Sequence, residues 1–123
     1  MSEQAPELRR LVIGMLEELE NPGCREFSIG EGNWPFKGFV VRQDEQVFAY
    51  QNHCRHAGHS LNWKPDDFLT RDCSSIICAS HGALYDIQSG ECTAGPCAGQ
   101  YLNRVEAMVE NGKVIVVSPD RQT

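Results

Sequence analysis

Residues 52–99 read NHCRHAGHSLNWKPDDFLTRDCSSIICASHGALYDIQSGECTAGPCAG and contain two close Cys/His pairs, Cys54-x-His56 and, after 21 intervening residues, Cys78-x-x-His81. A glycine follows each pair, Gly58 after the first and Gly82 after the second. A loop with a Cys and a His one or two residues apart can aim both side chains into one space. Glycine beside it lets the backbone turn sharply and approach the site. Two thiolates and two imidazoles, two from each loop, make a metal site. Zinc takes the same four donors tetrahedrally. The commonest zinc patterns, however, pair Cys with Cys and His with His, whereas each loop here contributes one of each. On donor chemistry alone, a structural zinc ion and an iron–sulfur cluster both stay open.

The first motif, Cys54-Arg55-His56-Ala57-Gly58-His59-Ser60-Leu61, and the second, Cys78-Ala79-Ser80-His81-Gly82-Ala83-Leu84-Tyr85-Asp86, together resemble the Rieske family of [2Fe–2S] proteins. Gly95-Pro96 matches the Gly-Pro turn that covers the cluster in that family. The resemblance extends over most of the chain after about Cys24. It implies an all-β fold: a Rieske-like antiparallel β-sandwich base domain with a small cluster-binding subdomain built from the two ligand loops. It further implies that Cys54 and Cys78 hold one, buried iron while His56 and His81 hold the outer one at the tip. Neutral imidazoles in place of two thiolates lower the repulsion met by an added electron. The potential therefore rises to roughly −150 to +300 mV, against about −400 mV for plant-type ferredoxins. High-potential members carry a serine two residues after the second histidine, where this chain has Ala83, and a tyrosine four residues after it, matched by Tyr85. They also brace their ligand loops with a disulfide at positions that here are His59 and Ser80. Both departures point to a low to intermediate potential, with Tyr85 placed for a tuning hydrogen bond to a ligand sulfur.

Composition sets the frame around this site. One domain over 1–123, with the cluster-binding part at about 52–99, is expected for 123 residues of 41% hydrophobic content. No run of about 18 apolar residues offers a membrane span. The N-terminal MSEQAPELRR lacks a signal-peptide pattern, so a cytoplasmic location is the expectation. A net charge of −6 argues against nucleic acid, whose phosphates select basic surfaces. It suits a basic patch on a redox partner equally as well as mere solubility. In a reducing compartment the six cysteines read as metal ligands and thiols rather than disulfides. Cys92 and Cys97 are therefore expected as reduced structural thiols, with a redox-sensitive pair as the competing reading, and Cys24 and Cys73 as small buried hydrophobes.

Along the chain, strand signals recur. Arg10–Ile13 followed by a turn competes with an amphipathic helix over Leu8–Leu19, and the pattern leaves the two unresolved. Glu26–Ile29, Gly38–Arg42 and Gln46–Tyr50 are short β-rich runs, with Asp44-Glu45 as a hairpin turn. Ala57–Ile77 links the motifs and contains Trp63 and Phe68, expected as loop anchors. Ile76-Ile77 and Ala83–Ile87 put the second motif on a hairpin tip, turned back at Ser89-Gly90. Tyr101–Val109 and Lys113–Ser118 flank Asn111-Gly112, a strong two-residue hairpin signal. His53 and His59 are expected as surface histidines.

No histidine follows His81, so the chain cannot supply the two-His-one-carboxylate iron site of a Rieske oxygenase. Nor is there a G-x-G-x-x-G element for a dinucleotide. The expectation is a one-electron carrier, not an enzyme, working between a reductase and an oxygenase or other acceptor. The competing readings are a small subunit or redox sensor of a larger, nitrite-reductase-like enzyme, and a structural zinc interaction domain.

Overall fold

The uninterrupted apolar run Phe39-Val40-Val41 lies in the strand on which the architecture is hung. In the computed structural model, which describes residues 10–29, 36–54, 60–62, 64–79 and 82–117, all three side chains are fully buried. A strand buried on one face alternates apolar with polar, whereas one covered on both faces reads as a continuous apolar run. The strand is β3 (Phe36–Gln43). It pairs on one side with β2 (Gly23–Ile29) and on the other with β4 (Gln46–Gln51), which in turn pairs with β8 (Arg104–Val105). This four-stranded antiparallel sheet is the central layer.

Its two faces serve two cores. Val40 and Ala49 point to one side and pack with Phe27, Val105, Val114 and Val116. The last two belong to β10 (Lys113–Val117), middle strand of a second sheet between β1 (Arg10–Met15) and β9 (Ala107–Glu110). Phe39, Val41 and Tyr50 point the other way, into a core shared with Cys54, Leu61, Phe68, Cys78 and Tyr85. The third sheet, β5 (Ile76–Ile77), β6 (Leu84–Tyr85) and β7 (Cys92–Ala94), closes that side. Burying a side chain of this size contributes about 1.5–3 kcal/mol, so the two faces of β3 are both energetically substantial. The result is the expected antiparallel β-sandwich base carrying a smaller subdomain.

The open choice at the N-terminus falls to the strand. β1 adds to the edge of β10 with a bulge between Val12 and Gly14, and a short 3₁₀ turn, Leu16–Glu18, follows. The turn's carbonyls are held from outside the segment. Arg42 donates to the carbonyls of Leu16 and Leu19, both at 3.0 Å. A helix here would leave β10 without its outer partner and would carry Gly14, a residue that weakens helices by about 1 kcal/mol relative to alanine. Both hairpin signals fold as their chemistry requires. Asn111 and Gly112 sit at φ 52° and 77°, the positive pair of a type I′ turn, and Asp44 also adopts positive φ.

One expected strand divides. Instead of a single run over Tyr101–Val109, β8 pairs with β4, and β9, starting one residue after Glu106, pairs with β10. The chain changes sheets at Glu106, because Val105 is needed in the core between the sheets while Met108 and Val109 must follow β10. The strand expected over Ala83–Ile87 shortens to Leu84–Tyr85. Asp86 turns the chain instead, its carboxylate accepting from the N–H groups of Gln88 and Ser89.

Candidate metal centre

Two chain segments carry the cysteines of the ligand motifs into one buried cluster. The first leaves the end of β4. Gln51 is tied to Asn103 through its backbone N–H at 2.8 Å and its side chain at 2.7 Å, and the N–H of Asn52 donates to the carbonyl of Lys37 at 2.9 Å. Cys54 comes two residues later and is fully buried. The second is the hairpin β5–β6, with Ile76 opposite Tyr85 and Ile77 opposite Leu84. Cys78 ends β5. Its N–H donates to the carbonyl of Ala83 at 2.9 Å and its carbonyl accepts from Gly82 at 2.8 Å. Gly82 holds φ 76° with no atom within 4 Å of where a Cβ would stand. Glycine is required there by backbone conformation, not by space.

Cys54, Cys78, Ala83 and Tyr85 belong to one buried apolar cluster. The hydroxyl of Tyr85, itself fully buried, stands 3.6 Å from Cys54 Sγ and 3.3 Å from Cys97 Sγ. An O–H donor aimed at a thiolate that serves as a metal ligand stabilises the electron-rich state of that ligand. Tyr50 has a different task. Its hydroxyl donates to the Ile87 carbonyl at 2.6 Å and ties the turn after β6 to the central sheet. Burial, aided by Asp86, pushes its pKa up to about 12 against the opposing pull of Arg104.

The third loop departs from expectation. Cys92 and Cys97 are joined in a disulfide, with Cα atoms 5.9 Å apart, instead of standing as two thiols. Both are almost fully buried, and the bond spans the exposed Gly95-Pro96 turn. Backbone bonds between Cys92 and Gln100 and between Cys97 and Gln100 close the loop at 2.7 and 2.8 Å. The strand β7 brings its two ends within bridging distance, a juxtaposition that five-residue spacing permits but does not announce. Gly95 abuts the second ligand loop, since a Cβ added to it would come within 3.2 Å of the Cα of Ala83.

The remaining candidates sort by burial. His56, His59, Ser80, His81 and Trp63 lie outside the described residues. His53 is half-buried. Phe68 is core, stacked on Phe39 with ring centroids 4.0 Å apart. Cys24 and Cys73 are half-buried, not fully enclosed as expected. They line an open cleft of about 500 Å³ with Glu18, Arg25, Asp66 and Asp67. Desolvation pushes the Cys24 thiol up to about 12, against a hydrogen bond from the backbone of Phe68. Among the described residues no three His, Cys, Asp or Glu side chains gather into a metal-binding group, as follows when two imidazoles of the motif lie outside them. No helix among them is long and apolar enough to cross a membrane.

Sequence patterns missed a polar chain beside this site. Asn52, Leu61, Asn62 and Glu26 connect the first ligand segment to the base sheet by hydrogen bonds of 2.7–2.9 Å. Scattered amides and an acid across 37 residues carry no local signature.

The donor chemistry fits an iron–sulfur cluster. Two fully buried cysteines from separate loops enter one apolar cluster with a hydroxyl alongside, and the histidines of both motifs adjoin them in sequence. Comparison with known proteins agrees. The fold is similar to the ferredoxin of carbazole 1,9a-dioxygenase from Nocardioides aromaticivorans IC177, at 21% identity and a TM-score of 0.70, covering 89% of this chain and 98% of that one. A chain in the complex of reduced oxygenase and oxidized ferredoxin in carbazole 1,9a-dioxygenase aligns at 22% identity and TM-score 0.69, covering 89% and 93%. The terminal oxygenase of carbazole 1,9a-dioxygenase from Novosphingobium sp. KA1 gives 19% and 0.73, covering 92% of this chain but 30% of that one. A comparison with curated proteins finds no match. The family model for the Rieske [2Fe-2S] domain matches residues 11–117. The chain therefore belongs to the Rieske [2Fe–2S] domain family, whose cofactor is a [2Fe–2S] cluster.

Proposed function

We propose that this single-domain chain is a ferredoxin-like one-electron carrier in the cytoplasm, passing electrons between a reductase and an oxygenase or other acceptor. Cys54 and Cys78 hold the inner iron and His56 and His81 the outer one. Bound there, the cluster supplies one-electron chemistry within roughly −150 to +300 mV. The observation that carries this reading is the entry of Cys54 and Cys78, from separate loops, into one buried apolar cluster beside the Tyr85 hydroxyl. The buried side chains exclude water from the thiolates, which lowers the local dielectric. Ala83 offers no hydroxyl to a ligand, so Tyr85 alone among these two positions raises the potential, and a low to intermediate value follows. Gly95-Pro96 covers the site on the side of the second loop.

The likeness to a ferredoxin over nearly its whole length favours a free carrier with no catalytic site of its own. The likeness to 30% of a terminal oxygenase chain favours, as a second reading, a subunit bound to a larger enzyme. Anaerobic purification followed by redox titration, read by visible absorption and electron paramagnetic resonance, tests the carrier. A rhombic reduced-state signal with a midpoint below the upper end of the Rieske range is expected. A colourless protein carrying one zinc ion refutes it, and stable co-purification with a catalytic chain selects the second reading.

A further inference from the structure

Among the described residues no disulfide joins the two ligand loops. All six cysteines are among the described residues, and the one disulfide lies wholly within the third loop. Residues 61, 62 and 66 make the polar links beside them. The N–H of Leu61 donates to Asn52 Oδ1 at 2.7 Å, two residues before Cys54, while the carbonyl of Leu61 accepts from the N–H of Ala79 at 2.7 Å, the residue after Cys78. One residue thus grips both loops through its two peptide groups. Its side chain is fully buried in the same cluster as Cys54 and Cys78.

The grip is anchored to the base. Asn52 Nδ2 donates to Asn62 Oδ1 at 2.9 Å, and Asn62 Nδ2 donates to Glu26 Oε2 and to the Lys64 carbonyl, each at 2.7 Å. Glu26 Oε2 also accepts from the N–H of Asp66 at 2.8 Å, and Asp66 Oδ1 accepts from the N–H of Glu26 at 2.8 Å. Asn62 and Asp66 are therefore tied to β2 through Glu26, and Leu61 and Asn62 to Asn52. Amide groups satisfied on both donor and acceptor sides fix a single arrangement, since any other leaves partly buried groups unpaired.

We infer that Glu26, Asn62 and Asn52 form a polar brace that positions both ligand loops around the cluster, with Leu61 as the contact between them. None of the three bonds a ligand atom in the described structure; they are positioning residues. The inference rests on the carrier reading and adds to it where the separation of the two loops is set.

The test uses the cluster-loaded full chain. Asn62→Ala removes the middle of the brace, and Glu26→Ala its anchor. Glu26→Gln keeps an oxygen that accepts both N–H groups. Asn21→Ala, which breaks a bond to Asp44 elsewhere in the base, serves as the control. Cluster loss to an iron chelator is followed by visible absorption, and ligand geometry by the g values of the reduced protein. Asn62→Ala and Glu26→Ala are expected to lose the cluster about tenfold faster, the factor that a buried group left unpartnered supplies, with shifted g values. Glu26→Gln should stay within about twofold of the unaltered chain, its geometry being kept. Should Asn62→Ala not fold, Glu26→Ala decides. Unaltered loss rates and g values in the alanine variants, or equal acceleration in Asn21→Ala, overturn the brace alone. An unaltered chain that takes up no cluster overturns the brace and the carrier reading together.

Discussion

Replacing Tyr85 by phenylalanine isolates a single hydroxyl. The ring is fully buried, so the substitution keeps its packing and removes only the O–H that stands 3.6 Å from Cys54 Sγ. With a cluster held by Cys54 as proposed, the reduced state would put more negative charge on its sulfur and strengthen the hydrogen bond, so the Tyr85 hydroxyl would favour that state. A hydrogen bond contributes about 0.5–1.5 kcal/mol net. At 59 mV per tenfold change for one electron, this corresponds to roughly 20–60 mV. Cys97 Sγ, 3.3 Å from the same hydroxyl, competes for its one proton and places the shift in the lower half of that range. The midpoint of Tyr85→Phe should therefore fall by about 20–40 mV in a titration followed by electron paramagnetic resonance, at undiminished signal per protein. An unchanged or higher midpoint with the cluster intact would show that the hydroxyl is not directed at Cys54.

Two further outcomes follow from the cysteines outside the ligand set. The Cys92–Cys97 bridge closes a loop of sequence separation 5, for which loop entropy gives about 2 kcal/mol. A Cys92→Ser/Cys97→Ser chain should lose that much in urea unfolding, and a thiol reductant should have a similar effect on the unaltered chain but none on the variant. Equal midpoints throughout would mean that the bond is not formed in solution. Cys24, raised from 9.0 to about 12 chiefly by burial, stays protonated in the folded chain at pH values where the unfolded chain has released its proton. The unfolded state then binds fewer protons, so stability falls as pH climbs from about 9 towards 12. Between pH 8 and 10 the unaltered chain should lose up to about 1 kcal/mol more than Cys24→Ala; parallel losses would refute the shift.

Much of the fold was legible because it is written locally. Gly38–Arg42 reads as a strand, although its burial on both faces emerges only in the fold, and Asn111-Gly112 announces its hairpin. The cysteines of the ligand motifs were legible from spacing, and both enter one core. What could not be read depends on partners distant in sequence. Leu8–Leu19 has helical spacing, yet β10 needs an edge and takes Arg10–Met15 as a strand. The break at Glu106 exists because two sheets claim the residues on either side. The Cys92–Cys97 bond depends on β7, a strand too short to show a period, and on oxidation, which composition does not encode. The Glu26–Asn62–Asn52 chain is made of polar residues whose meaning lies wholly in who faces them.

The double-sided burial of β3 has a further consequence for how the molecule comes apart. A strand whose odd-numbered side chains join the core of Cys54 and Cys78 and whose even-numbered one joins the sandwich core ties the two cores to one backbone. Loosening Val40 must disturb Phe39 and Val41, its immediate neighbours on one backbone. Strain placed on Val40 from the sandwich side therefore reaches the core that holds Cys54 and Cys78 through a single stretch of backbone.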